Sequence, residues 1–267
     1  MSVAVGSPRV GELLRSWRQR RSLSQLELSL ESEVSARHLS FIETGRARPS
    51  REMVLHLAER LDVPLRERNS LLLAAGFAPL YGERSLDSEE MTVVTQALDR
   101  FLRAHEPYPA VVVDRHWALV SANDALGVLL EGVAEHLLEP PANALRVALH
   151  PDGMAPRIIN FDEWSSHLLD RLKRAAAITA DPELEALYHE LAGYPGVTSE
   201  SPHDEYSANA IVLPLRLRHG NAELAFFGTV TTFGTPLDVT LSEIAVEAFY
   251  PANAATANAL LVEVGAG

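Results

Sequence analysis

The stretch that decides the fold is Leu23 to Ser50, LSQLELSLESEVSARHLSFIETGRARPS. It reads as two short helices joined by a tight turn and followed by a basic loop. Ser24 is placed to cap the first helix, its hydroxyl accepting from a backbone N–H otherwise left unpaired. Leu28 then faces a core, and Ser29 is small enough for a second helix to cross closely. The turn falls at Ser32–Val34. Ser35 caps the second helix, which turns Leu39 and Ile42 inward and leaves Ala36, Arg37, His38, Ser40 and Phe41 facing out. This is the pattern of a helix-turn-helix, whose second helix enters the major groove and reads base edges with its N-terminal residues.

The flanks complete a helical domain. Upstream, Val10, Leu13, Leu14 and Trp17 follow the i, i+3, i+4, i+7 rule and predict an amphipathic helix. Downstream, Ser50 caps a helix with Met53, Val54, Leu57, Ala58 and Leu61 on its stripe, and Pro64 follows its end. Leu65 to Ala75 predicts a fifth helix, with Leu71, Leu72 and Leu73 buried and Gly76 as its stop. Leu26 and Leu30 lie off the core face set by Leu28, so they are either partly buried or a docking surface.

Charge separates this half from the rest. The whole chain of 267 residues carries a net charge of −13, unusual for a protein that touches DNA. Residues 1–80 hold 12 basic and 9 acidic side chains, a balance of +3, while the remainder holds 11 and 27, a balance of −16. Such asymmetry is what a nucleic-acid module fused to an acidic domain shows, although acidic surface also serves solubility. There is no Cys, which excludes disulfides, thiolate metal sites and thiol redox sensing and fits a reducing cytoplasm. We expect no signal peptide at MSVAVGSPRV and no membrane span.

On Leu23, Gln25, Leu28, Val34, Ile42, Glu43, Gly45 and Pro49, the chain resembles the Xre/Cro-type helix-turn-helix. Through RLDVPLRERNSLLLAAGFAPLY it resembles, more narrowly, the bacterial regulators that join this module to an MmyB-like ligand-binding domain. The resemblance implies an internal ion pair between Arg18 and Glu43, a phosphate contact from Gln25, and base contacts near Ala36 and Phe41. One departure is Glu33, where the pattern favours Gly. A positive φ costs a non-Gly residue about 1–2 kcal/mol, so a different turn type is expected. Arg37 is the best base reader, its planar fork matching guanine O6 and N7, with a phosphate clamp as the alternative. Ala36 and Phe41 suit a thymine methyl, or Phe41 packs on the neighbouring helix. His38 and Ser40 suit phosphates, and Arg46 and Arg48 in the Gly45–Pro49 loop grip the backbone. The candidate DNA-contacting set is therefore Gln25, Ser35, Ala36, Arg37, His38, Ser40, Phe41, Arg46 and Arg48.

Residues 79–91 are polar and turn-rich, and a boundary is expected there. The expected domains are 1–80, a linker and connecting helix at 81–105, and 106–267. Met91, Val94, Leu98, Phe101 and Leu102 share one face of the connecting helix. AVVVDRHWALVSAN then reads as a β-hairpin with Asn123 capping a helix, similar to the opening of a PAS-type domain. Helices follow over 158–173, with Phe161, Trp164, Leu168 and Leu172 at helical spacing, and over 182–191. IVLPLRLRHGNAELAFFGTVTTFG predicts two antiparallel strands, and DVTLSEIAVEAFYP and the Ala-rich tail predict helices. The expected fold is an all-α five-helix Xre/lambda-repressor-like domain followed by an α+β PAS-like domain, an antiparallel sheet with helices on one side and a pocket between them.

No catalytic pattern stands out: P-loop, GxSxG and HExxH are absent, and His189–Glu190 lacks downstream thiolates. His203, Asp204 and Glu205 form a polar loop cluster that we read as solvated, with no metal site expected. HDEY at 203–206 also stands where the family often has a Trp-containing, Arg/His-rich segment. Trp117, Phe161, Trp164, Leu168, Phe226 and Phe233 are candidates to line an apolar ligand cavity, core packing being the plainer role for aromatics. The sequence thus predicts a non-enzymatic, DNA-binding regulator acting as a homodimer on operator DNA. Its second domain is expected to hold a small apolar molecule and no other cofactor; the resemblance points to fatty acids or similar metabolites. The alternative is a second domain that only dimerises or docks a protein.

Overall fold

The computed structural model describes residues 9–198 and 212–266. In chain order the elements are α1 (Val10–Arg20), α2 (Gln25–Ser32), α3 (Ala36–Glu43), α4 (Arg51–Arg60), α5 (Leu65–Ala74), α6 (Thr92–Ala104), β1 (Ala110–Val113), β2 (Leu119–Ala122), α7 (Gly127–Leu130), α8 (Ala144–Leu149), α9 (Phe161–Thr179), α10 (Pro182–Ala192), β3 (Leu215–His219), β4 (Ala222–Thr232), α11 (Val239–Ser242), β5 (Ala245–Pro251) and α12 (Ala254–Ala266). They form two compact units. One is Met1–Arg84 with Pro236–Ser242, the other Ser85–Thr235 with Glu243–Gly267.

The first unit is helical. Leu14, Trp17, Leu28, Leu39, Ile42, Val54, Leu57, Leu71 and Leu72 close one core. Ser24 and Glu27 form a reciprocal capping box at α2, and Ser35 and Ser50 cap α3 and α4. Gly11 lets α1 cross the end of α3: a Cβ there would lie 2.2 Å from the Ile42 carbonyl oxygen. Glu33 does adopt the left-handed conformation, φ 56°, so the turn keeps its geometry without Gly, contrary to the expected change of type. Leu73 is 59% exposed rather than buried, because three consecutive helical residues span too wide an arc to share one core face. Leu26 and Leu30 are exposed.

The segment Pro236–Ser242 belongs to this unit although the sequence reading placed it in the second domain. Asp238 holds it: its carboxylate accepts from Arg84 Nη1 at 2.9 Å and from the Thr240 N–H at 3.0 Å. Val239 donates its N–H to the Gly82 carbonyl at 2.7 Å and is buried. Conversely, α6, expected in a linker, lies in the second unit.

The second unit is built on an antiparallel five-stranded sheet in the order β2-β1-β5-β4-β3. Its middle strand is β5, where a helix was expected. Over Ala245–Pro251 the buried Val246 and Ala248 alternate with the half-buried Ala245, Glu247 and Phe249, and pairing with both β1 and β4 overrides the helical reading. Helices were expected on one side, yet both faces are covered. Val246 and Ala248 pack with Leu98 and Leu102 of α6, while the other face packs with α7 to α10 in the larger core. Asn123 does not cap a helix through its side chain. It accepts from the Ala110 N–H at 2.9 Å and donates to the Tyr108 carbonyl at 2.8 Å, tying the start of β1 to the end of β2. The cluster at 203–205 lies outside the described residues.

Candidate nucleic-acid interface and ligand cavity

In the first unit, α3 is locked by one face and open on the other. Leu39 and Ile42 are fully buried, whereas Arg37 and His38 are exposed and Ala36, Ser40 and Phe41 half-buried. Arg37 Cζ lies 5.4 Å from the centre of the Phe41 ring, one turn along. A guanidinium over an aromatic face is attracted to it, and the Arg37 side chain stays exposed. Ser35 is occupied as the cap, accepting from the His38 N–H at 3.2 Å. After α3 the chain turns at Gly45, φ 73°, and presents Arg46 and Arg48 as exposed side chains.

Glu43 is held away from that surface. Arg18 donates through Nε at 2.7 Å and Nη2 at 2.9 Å, and Gln25 donates through Nε2 at 2.8 Å. Burial alone would push this carboxyl up. The Arg18 and Gln25 hydrogen bonds and the Arg18 charge outweigh it and hold the carboxyl below its ordinary range. Gln25 is thus tied to Glu43, with one amide N–H still available to a phosphate.

In the second unit, an apolar cavity of about 70 Å³ lies between the sheet and helices α7 to α9. Its walls include Val111, Leu119, Leu129, Met154, Glu247 and Phe249. Of the six residues expected to line it, Trp164 and Leu168 do. Trp117 and Phe226 are buried in the surrounding core, Phe161 packs against that core, and Phe233 packs on the opposite sheet face. Glu247 and Phe249 were missed because β5 was read as a helix; the period-two alternation in AVEAFYP was the available signal. Among the described residues His136, His150 and Asp152 also converge, their ligand atoms within 4.8 Å of one another. There the His150 Nδ1 already accepts from the Asp152 N–H at 3.0 Å.

A helix-turn-helix with a locked inner face and a polar outer one, on a chain that also carries a sheet domain with an apolar cavity, defines a DNA-binding regulator with a ligand-binding domain. Residues 14–68 match the helix-turn-helix family, and residues 94–261 match the MmyB-like transcription regulator ligand binding domain. The chain belongs to the MmyB-like transcription regulators. These are regulator families, not enzyme families. Comparison with curated proteins gives no significant match. Among the described residues no helix is long and apolar enough to cross a membrane.

Proposed function

We propose that this regulator binds operator DNA as a cytoplasmic homodimer and that a small lipophilic molecule, a fatty acid or similar metabolite, controls it through the second unit. The observation that carries the reading is the exposed Arg37 lying over the half-buried Phe41 ring, on a helix whose other face is fixed in the core. Arg37 reads bases, with Ala36 and Phe41 beside it. Gln25, Ser35, His38, Ser40, Arg46 and Arg48 hold the backbone. Trp164 and Leu168 contact the ligand from the wall of the cavity. A dimer supplies two recognition helices one helical turn apart, matching two half-sites. Control requires the ligand to favour one DNA-binding arrangement by differential affinity. The chain passes between its two units at residues 84/85, 235/236 and 242/243, so three covalent connections are available to carry that coupling.

The small cavity volume favours a second reading, in which this domain only dimerises or docks a protein. An engineered cavity of about 150 Å³ admits benzene, so a long acyl chain must widen this one. Native mass spectrometry of protein purified from cells, followed by organic extraction, separates the two readings. A dimer carrying a lipophilic mass supports sensing. Duplexes selected from a random pool then give the operator, and added ligand should change its affinity. If fatty acids shift neither melting temperature nor operator affinity, the interaction-module reading replaces the sensor.

A further inference from the structure

One ion pair within the first unit gathers all three places where the chain passes to the second. Arg84 is the last residue before the first crossing, and Asp238 lies in Pro236–Ser242, between the other two. Their side chains meet at 2.9 Å although 154 residues separate them in sequence. The Asp238 carboxylate is buried and the Arg84 side chain is half exposed. Both segments are docked on α5. Asn69 accepts from the Leu80 and Tyr81 N–H groups at 2.9 and 3.1 Å and donates to the Tyr81 carbonyl at 2.8 Å. Arg66 pairs with Glu83 at 2.6 Å, and α11 lies against α5 with Val239 buried. Gly82 runs beside Asp238, and a Cβ on it would lie 3.2 Å from Asp238 Oδ2 and 2.8 Å from Arg84 Nη1, crowding the pair. α5 in turn buries Leu71 and Leu72 in the helix-turn-helix core. On the other side of the crossings stands the central strand. Thr232 of β4 pairs with Ala245 of β5, and β5 continues to Glu247 and Phe249 on the cavity wall.

We infer that the Arg84–Asp238 pair is a coupling clamp: it fastens the three crossings at one point, so that a shift of β4 and β5 reaches α5 and the helix-turn-helix core. The inference takes from the ligand-binding reading only the identity of what moves the cavity wall. Coupling is carried by rigid elements joined through contiguous hydrogen bonds and packing. β5 is such an element, extended and hydrogen-bonded to a strand on each side. The docked residues 80–84 are another. With the clamp closed, the end of β4, the start of β5 and the chain leading to α6 share one anchor. With it open, each crossing is a separate tether that can move without the others. A pair that merely adds stability would leave the linkage between the two binding sites unchanged. A clamp predicts that the linkage falls while each site stays intact. Removing Asp238 does not bury an unpaired charge, because Arg84 is half exposed and can turn to water.

Two measurements on the full chain test this, both with an operator duplex selected from a random pool. The first is operator affinity with and without dodecanoate. In wild type the ratio should be about fivefold or more, and in Asp238→Ala less than about twofold, with dodecanoate affinity unchanged. Arg84→Lys keeps the charge and should keep the wild-type ratio. Asp238→Asn, which still accepts from the Thr240 N–H, guards against misfolding of the Ala variant and should lower the ratio in the same direction. The second is amide hydrogen exchange with and without operator, which needs no ligand. Operator should slow exchange in α3 of both proteins and alter exchange in β5 of wild type only. The inference is overturned if Asp238→Ala keeps the wild-type ratio, or if operator alters β5 exchange equally in the two proteins. If dodecanoate leaves wild-type operator affinity unchanged, the fatty-acid reading fails by itself, and the exchange measurement still decides the clamp.

Discussion

Glu43 and Glu247 are both carboxylates withdrawn from solvent opposite an arginine, one in each unit, and they are served differently. Glu43 is 1% exposed and receives three directed hydrogen bonds, two from Arg18 and one from Gln25. Glu247 is 15% exposed and pairs with Arg171, whose Nη2 lies 2.6 Å from Oε1. A fully satisfied pair leaves nothing for another molecule and serves to hold α1 against α3. The more exposed pair is better screened by water, so losing one partner strands the other less. The helix-turn-helix therefore gains a rigid frame, and the sheet domain retains a polar position along an apolar wall.

The largest expected effect tests that contrast. Arg18→Met strands the Glu43 carboxylate inside the first unit and should cost about 3–5 kcal/mol in chemical denaturation. Arg171→Met leaves Glu247 nearer solvent and should cost less than half as much. Equal losses would mean that the two pairs serve the same structural role.

A pH series sharpens the same comparison. The folded-state pKa of Glu43 is depressed, so its contribution is present above the ordinary carboxylate range and lost as pH falls through the folded value. Wild type should lose stability on acidification. Arg18→Met should reverse the sign at this site, because a buried carboxyl without its partner binds its proton more tightly when folded. Denaturant midpoints measured across the acid range would show the two slopes. Parallel slopes would remove Glu43 from the account.

How much of this was legible follows from the range of the interactions. Caps at Ser24, Ser35 and Ser50 and the inward Leu28, Leu39 and Ile42 depend on neighbours within a turn, and the sequence states them directly. The Arg18–Glu43 pair joins residues 25 apart and was reached through family resemblance rather than spacing. Gly11 was invisible as a contact, since its need for space comes from a carbonyl on α3. β5 failed for the same reason: VTLSEIAVEAFYP has helix-like spacing locally, and only β1 and β4 make it a strand. The cavity was legible as a class and poorly as residues. Aromatic content predicts an apolar interior, but which rings border empty space depends on how helix and sheet pack, and Trp164 of α9 lines the cavity while Phe226 of β4 is buried in the surrounding core.

On the DNA side, smaller effects separate specificity from affinity. Arg37→Ala removes the stacked fork and should weaken operator binding by about 1–3 kcal/mol while relaxing base preference. Unchanged operator affinity would mean that α3 is not the reading helix. The stability of this variant should stay near wild type, because Arg37 is exposed and the α3 core residues are untouched.

The smallest effect is expected at Arg48. Its side chain is exposed in the loop after α3 and is assigned to a phosphate rather than a base. Each neutralised phosphate contributes about 0.9 to the slope of log affinity against log salt. Arg48→Ala should therefore weaken operator and unrelated duplex alike and lower the slope by about one. Arg37→Ala should instead narrow the gap between operator and unrelated DNA. If Arg48→Ala also narrowed that gap, the loop would be reading sequence. The division between a rigid reading helix and a purely electrostatic grip would then give way to a single continuous recognition surface.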